Sequence, residues 1–173
     1  SPDLSSLDGL KKIRFVGGHL IIAANGKFVQ RGDDINGEAD SDLSGSSVSI
    51  SGDGSIIAIG APGNDGENGQ NSGHVRIYEW TNSFWRQRGN DIDGKAWMDS
   101  SGNYGGVSLS EDGLVVAIGA QTSDANGSNS GQTSVYEWTG SIWRQRGSDI
   151  DGEAAGDQSR KVSLSRDGSI VAI

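Results

Sequence analysis

Cysteine is absent from this chain of 173 residues, proline and histidine each occur twice, and methionine occurs once. Without cysteine there is no disulfide, no zinc–thiolate centre and no thiol nucleophile. The two histidines, His19 and His74, each precede an apolar run. No Ser-His-Asp order, phosphate loop or HExxH pattern accompanies them. Long hydrophobic runs are missing as well, and nothing approaches the roughly 20 apolar residues that span a membrane as a helix. The first ten residues, SPDLSSLDGL, lack the basic region and apolar centre of a secretory signal, so an exported protein would carry its signal outside this stretch. Positive charge is scarce: 14 Lys and Arg stand against 23 Asp and Glu, a net charge of −9. That balance argues against phosphate-backbone binding and favours solubility. At 33 % hydrophobic residues the composition borders on disorder, so a fold has to be argued from pattern.

The pattern is strong. Residues 48–61 read VSISGDGSIIAIGA, residues 107–120 read VSLSEDGLVVAIGA, and VSLSRDGSIVAI follows from Val162. Val48 and Ile50 alternate with Ser49 and Ser51, the period of a strand with two unlike faces. Asp53-Gly54 then predicts a hairpin, read as a two-residue type I′ turn with both residues at positive φ. Ile56-Ile57-Ala58-Ile59 is apolar without alternation, which fits a strand covered on both faces. A second string, FVQRGDDINGEA at Phe28, returns as WRQRGNDIDGKA at Trp85 and WRQRGSDIDGEA at Trp143. The chain is therefore a tandem array with a period of roughly 58 residues.

One period holds four short strands, a polar loop between the second and third, and a long link to the next period. That is the plan of a β-propeller blade. The expected fold class is all-β, with tandem four-stranded antiparallel blades forming a partial propeller. Residues 1–17, with Leu4, Leu7, Leu10 and Ile13 spaced by three, are read as a cap or linker. Residues 18–46, including the turn signal Asn25-Gly26, form a partial blade and its link. Blade 1 spans 47–106, blade 2 spans 107–161, and 162–173 begin a further blade. Two whole blades cannot close a ring of the usual 4 to 8, so the array is expected to be a piece of a longer chain.

The order of these motifs resembles the FG-GAP repeat of the integrin α-subunit propeller. The resemblance rests on Gly45, Val48, Asp53, Gly54, Gly60, Ala61, Pro62, Gly73, Val75 and Tyr78, and in the second copy on Gly105, Val107, Asp112, Gly113, Gly119, Ala120, Gly131 and Tyr136. It implies a propeller, an extracellular setting and adhesion to protein or glycan. Repeats of that family often hold Ca²⁺ on a D-x-D-x-D-G loop. Here Ser49, Ser51 and Ile57 occupy ligand positions around Asp53, and Ser108, Ser110 and Val116 occupy them around Asp112. Ca²⁺ takes 6 to 8 oxygens, most of them anionic in such loops, so no Ca²⁺ and no other cofactor is expected at these turns.

Other carboxylates cluster in the links: Asp91 and Asp93 with Asp99, Asp149 and Asp151 with Asp157, and Asp34, Glu38, Asp40 and Asp42 in the first copy. Asp91, Asp93, Asp149 and Asp151 are weak cation candidates, read chiefly as solvated turns that bind Ca²⁺ no better than millimolar. The loops between strands two and three offer Asp65, Asn68, Asp124 and Asn126 as ligand contacts. Asn126-Gly127-Ser128 is also a glycosylation sequon. Trp80, Trp85, Trp138 and Trp143 recur in register and are read as packing between blades. Trp97 has Ala155 at its matching place, which marks it for an exposed contact. Arg86, Arg88, Arg144 and Arg146 are read as charges that protect a blade's outer edge.

The functional expectation is a non-enzymatic extracellular binding or adhesion module. Its partners are a protein or glycan ligand and the neighbouring blades of the same longer chain, with no nucleic acid and no membrane insertion. The alternatives are a fragment of a secreted propeller hydrolase or lyase whose catalytic residues lie elsewhere, and an intracellular scaffold.

Overall fold

The computed structural model describes residues 13–16, 19–24 and 27–173, with side chains from residue 29 onward. The readings placed on Leu4, Leu7 and Leu10, on the turn at Asn25-Gly26 and on the side chains of His19 and Phe28 lie outside the described residues. Every described element is a strand. The first sheet joins β1 (Ile13–Val16), β2 (His19–Ala24) and β3 (Lys27–Gln30). A strand thus falls inside the stretch assigned to a cap or linker, and the leading sheet has three strands rather than two. Blade 1 is β4 (Ser47–Ile50), β5 (Ile56–Ala61), β6 (His74–Trp80) and β7 (Trp85–Gln87), antiparallel in that order. A two-residue strand, β8 (Ile92–Asp93), pairs back onto β6 from the link, where the sequence predicts only loop. Blade 2 repeats the plan with β9 (Val107–Leu109), β10 (Val115–Ala120), β11 (Gln132–Trp138), β12 (Trp143–Gln145) and β13 (Ile150–Asp151) on β11. A last pair, β14 (Ser163–Leu164) with β15 (Val171–Ala172), begins the next blade.

The Asp-Gly hairpins are present, but the turn is not type I′. Only the glycines are at positive φ, 70° at Gly54 and 66° at Gly113 and Gly168, while the aspartates are not. The loop is four residues long and is closed by Ser51 N–H to the Ile56 carbonyl and Gly54 N–H to the Ser51 carbonyl. Asp53 Oδ1 accepts the Ser55 amide at 2.9 Å and the Ser51 and Ser55 hydroxyls at 2.8 Å each. Ser51 Oγ in turn accepts the Ile56 amide. Asp112 and Asp167 make the equivalent bonds in the later copies. The aspartate is therefore spent on its own turn.

Residues of β5 divide their side chains between two layers. Ile56 and Ala58 join Val75, Ile77, Val107, Leu109, Val116 and Ile118 in the core between blades 1 and 2. Ile57 and Ile59 face the other way, with Tyr78, Ile35, Val48, Ile50 and Trp85. The apolar run without alternation is covered on both faces, as its pattern requires.

Two kinds of joint hold neighbouring units together. At the outer side, Trp85 Nε1–H donates to the Arg31 carbonyl at 2.8 Å, and Trp143 Nε1–H donates to the Arg88 carbonyl at 2.7 Å. The same arginines lay their guanidinium groups over the tryptophans, Arg31 at 4.6 Å from Trp80 and Arg88 at 4.9 Å from Trp138. Such contacts are worth about 0.5–2 kcal/mol, more as they are desolvated. Arg88 is consequently no edge charge. Its side chain is 11 % exposed, against 63 % for Arg86 on the same strand face, because the next blade's tryptophans cover it. At the inner side, Ser47 and Ser49 hydroxyls accept the Val107 and Leu109 amides, and Ser108 accepts that of Leu164. The alternating serines thus satisfy main-chain donors of the following blade. Gly60 and Gly119 permit close approach of the backbone: a Cβ there would lie 2.2 Å from the Gly102 carbonyl oxygen and 2.0 Å from that of Arg160.

Two expectations follow from these joints and turns. Trp143→Phe, which keeps a ring but loses the indole donor, should cost about 1–2 kcal/mol. Trp143→Ala should cost about 3 kcal/mol or more, both read from urea unfolding. A Trp143→Phe variant as stable as the parent would show that the N–H contributes nothing. Hydrogen bonds from Ser165 and then Ser169 lower the Asp167 pKa to about 2. Its stabilising contribution is present above the unfolded value of about 3.9 and is lost as pH falls through the folded value. Carboxyl NMR should place the Asp167 midpoint near about 2, and an ordinary midpoint would contradict the turn geometry.

Candidate functional site

Because the strands run antiparallel, the β5–β6 loop (62–73) and the link (88–106) leave the same end of blade 1. The hairpin turns at 51–55 and 81–84 leave the other. Most residues that break the repeat's regularity lie at the loop end. An open cavity of about 590 Å³ lies there, lined by Glu38, Asn64, Asp65, Glu67, Asp91 and Asp93 among others. Its wall combines the link that precedes blade 1, the β5–β6 loop and β8.

His74, the first residue of β6, lies behind this wall and is 1 % exposed. Its Nδ1 is 3.6 Å from Asp91 Oδ2 and 3.9 Å from Glu38 Oε2, both beyond hydrogen-bond distance. Burial lowers its pKa against the opposing pull of Asp91, so the ring is neutral at neutral pH. Burial, followed by the neighbouring Asp91, raises that of Asp93. Gln87 Nε2–H donates to Asp91 Oδ1 at 2.5 Å, which leaves Oδ2 toward the imidazole. Arg76 Nη1 is 3.4 Å from Glu38 Oε1, and Asn64 donates to Glu38 Oε2 at 3.4 Å. Arg76 also donates to the Asn36 carbonyl at 2.8 Å. Glu38, His74 and Asp91 offer ligand atoms that all lie within 4.8 Å of one another.

Blade 2 provides an internal comparison. At the places of Glu38, His74 and Asp91 stand Lys95, Gln132 and Asp149. Lys95 Nζ bonds Asp149 at 2.5 and 2.6 Å, Ser134 and Gln145 add further bonds to Asp149, and Gln132 Nε2–H donates to Asp151 at 2.8 Å. Burial alone would raise the Asp149 pKa, but these donors, led by Lys95, hold it below the ordinary value. The candidate Asp149 is thereby neutralised by the link that precedes its blade and Asp151 is bonded by Gln132, whereas Asp91 and Asp93 line the cavity.

The other sequence candidates divide in the same way. Asp65 Oδ1 accepts the Asn71 amide at 2.9 Å, and Asp124 Oδ1 accepts that of Asn129 at 2.7 Å. Asn68 donates to the Gly94 carbonyl, and Asn126 donates to those of Gly152 and Glu153, so each pins its loop to the following link. These four side chains build the loop end before they offer anything to a ligand, and a glycan on Asn126 would displace two of these bonds. Asp42, Asp99 and Asp157 accept the amides of Ala39, Ala96 and Ala154. They cap turns in the links and are not grouped with Asp91 or Asp149. Trp97, in contrast, is 63 % exposed, and its neighbour Met98 and, further along the link, Tyr104 are also exposed. The sequence reading did not join Glu38, His74 and Asp91. Their only sequence signal was the exchange of two of them for Lys and Gln in the next repeat.

Fold, repeat plan and joints define a propeller-type repeat module. Residues 36–78 match the family model of the FG-GAP repeat. That segment runs from the link preceding blade 1 through β4, β5 and their loop into β6, and it includes both Glu38 and His74. No curated protein matches the chain. Among the described residues no helix is long and apolar enough to cross a membrane.

The contrast between blades yields an expectation for blade 2. Lys95→Glu replaces an attraction to Asp149 with a repulsion and should cost about 0.5–1 kcal/mol, discounted for partial exposure. The loss should shrink at 1 M salt, where the Debye length is roughly 3 Å. A loss independent of salt would mean that the lysine acts through packing.

Proposed function

We propose that this chain is a non-enzymatic binding module of a cell-surface or secreted propeller, recognising protein or glycan through the loop end of its blades. The observation that carries the reading is Trp97. It is 63 % exposed, stands beside exposed Met98 and has Ala155 at the matching place of the next repeat. A large aromatic side chain that the blade plan does not require, held on a rigid loop end, has the character of an interface anchor. A Cβ at Gly69 would lie 3.3 Å from the Trp97 Cβ, so the β5–β6 loop stands against the base of the indole. Tyr104, also 63 % exposed, extends the apolar contact at the same end. The acidic residues of the neighbouring cavity favour a neutral or cationic partner over an anionic one. Together with the resemblance to adhesion repeats, these features support recognition through the links and the β5–β6 loops rather than through the hairpin turns.

The test is a glycan and extracellular-protein array probed with the full chain and with Trp97→Ala. We expect the substitution to weaken binding to the array ligands about 30-fold or more, the scale of an interface hot spot. Its melting temperature should stay unchanged, since the side chain is exposed. Ligands bound equally well by Trp97→Ala would overturn the assignment of the face. Surface labelling of intact cells that express the parent protein tests the location.

A further inference from the structure

We propose that Glu38 Oε2, His74 Nδ1 and Asp91 Oδ2 form a binding site for one divalent transition-metal ion, Zn²⁺ by ligand chemistry, at the joint between blade 1 and the link that precedes it. The proposal does not depend on the ligand-binding face described above.

Three observations converge on it. The first is His74, whose ring is buried and faces two carboxylate oxygens at 3.6 and 3.9 Å. Zn²⁺ holds oxygen and nitrogen at about 2.0–2.2 Å, which in a tetrahedron puts ligand atoms about 3.4 Å apart. The site is within a few tenths of an ångström of that spacing at both histidine contacts. The second is the support around the ligands. Gln87 holds the far oxygen of Asp91 and Arg76 that of Glu38, while Asn64 reaches Glu38 Oε2 at 3.4 Å and holds it beside the imidazole. Outer contacts of this kind orient metal ligands. Glu38, Asp91 and Asp93 against Arg76 leave a local charge of −2, which one divalent cation neutralises. The third is the second blade, where Lys95 and Gln132 replace Glu38 and His74 and satisfy the same carboxylates from within. The repeat plan itself needs no cation at this joint. Blade 1 lacks the lysine, and Arg76 alone leaves the carboxylates in excess, so an external cation takes its place.

Ligand type selects the metal. An imidazole nitrogen with two carboxylates suits Zn²⁺ and its first-row neighbours, while Ca²⁺ takes oxygen donors only. Three protein ligands, two of them on the cavity wall, leave a fourth position for water or a ligand group from the cavity.

Isothermal titration calorimetry on the full chain, freed of metal with a chelator, tests the proposal with Zn²⁺, Ca²⁺ and Co²⁺. We expect about one equivalent of Zn²⁺ at micromolar Kd or tighter, and visible d–d absorption from the Co²⁺ form. Glu38→Gln keeps the side-chain shape and His74→Gln copies the blade 2 residue, so both should fold, and circular dichroism in chelator checks this. Each should weaken Zn²⁺ at least tenfold and remove the rise in melting temperature that Zn²⁺ gives the parent chain. Zn²⁺ binding that either folded variant retains at full strength would overturn the proposal. So would an absence of Zn²⁺ binding, or Ca²⁺ bound as tightly as Zn²⁺.

Discussion

A single indole N–H reaching back to the main chain of the preceding unit sets the arrangement of everything else. Trp85 donates to the Arg31 carbonyl and Trp143 to that of Arg88, 54 and 55 residues earlier in sequence. The arginine answers by lying over the tryptophans of the later blade. Acceptor and cation therefore come from one residue, and donor and π-face from a tryptophan pair. The joint fixes the outer spacing of adjacent blades, and the serine-to-amide bonds of the first strands fix the inner spacing. Between these two lines the isoleucines and valines of β5, β6, β9 and β10 have only one way to interdigitate. This explains how a chain with 33 % hydrophobic residues sustains a core: each apolar strand is used on both faces.

The short-range features were legible in the sequence because they follow from local chemistry. Asp-Gly announced the hairpins, Ile56-Ile57-Ala58-Ile59 announced a strand covered twice, and the Trp recurrence announced packing between blades. Misreadings arose where a residue's role is decided by another blade. Asp53 was expected at positive φ, but its side chain found three donors in the neighbouring serines and left the left-handed conformation to Gly54 alone. Arg88 looked like an edge charge, since alternation puts it on the face of Arg86, and only the arrival of Trp138 buries it. β8 consists of two residues inside a polar link, too few to show a period, and Ile92 is its one apolar signal.

The candidate site was less legible for the same reason, on a larger scale. Glu38, His74 and Asp91 are separated by more than thirty residues on one side and by seventeen on the other. No window of local sequence contains them, and stacking of units brings them together. Asn68 and Asn126 illustrate the opposite error: polar loop residues that looked available are consumed in tying the loop to the link. In an array of this kind, conformity to the period marks residues that build the blade. Departure from it, as at Trp97, Glu38 and His74, marks residues whose role lies elsewhere.

The outer joint has a consequence for how such arrays change over generations. Donor and acceptor occupy the same two offsets in both described joints, so each of these units ends with the socket that the next unit's tryptophan needs. Duplication of a stretch of about 58 codons copies both halves of the joint at once, and the new interface is complementary from its first appearance. Lengthening the array is therefore mutationally cheap. Individual character can then be acquired afterwards by single exchanges at the link and β6 positions, as the Lys95 and Glu38 pair of blades already illustrates.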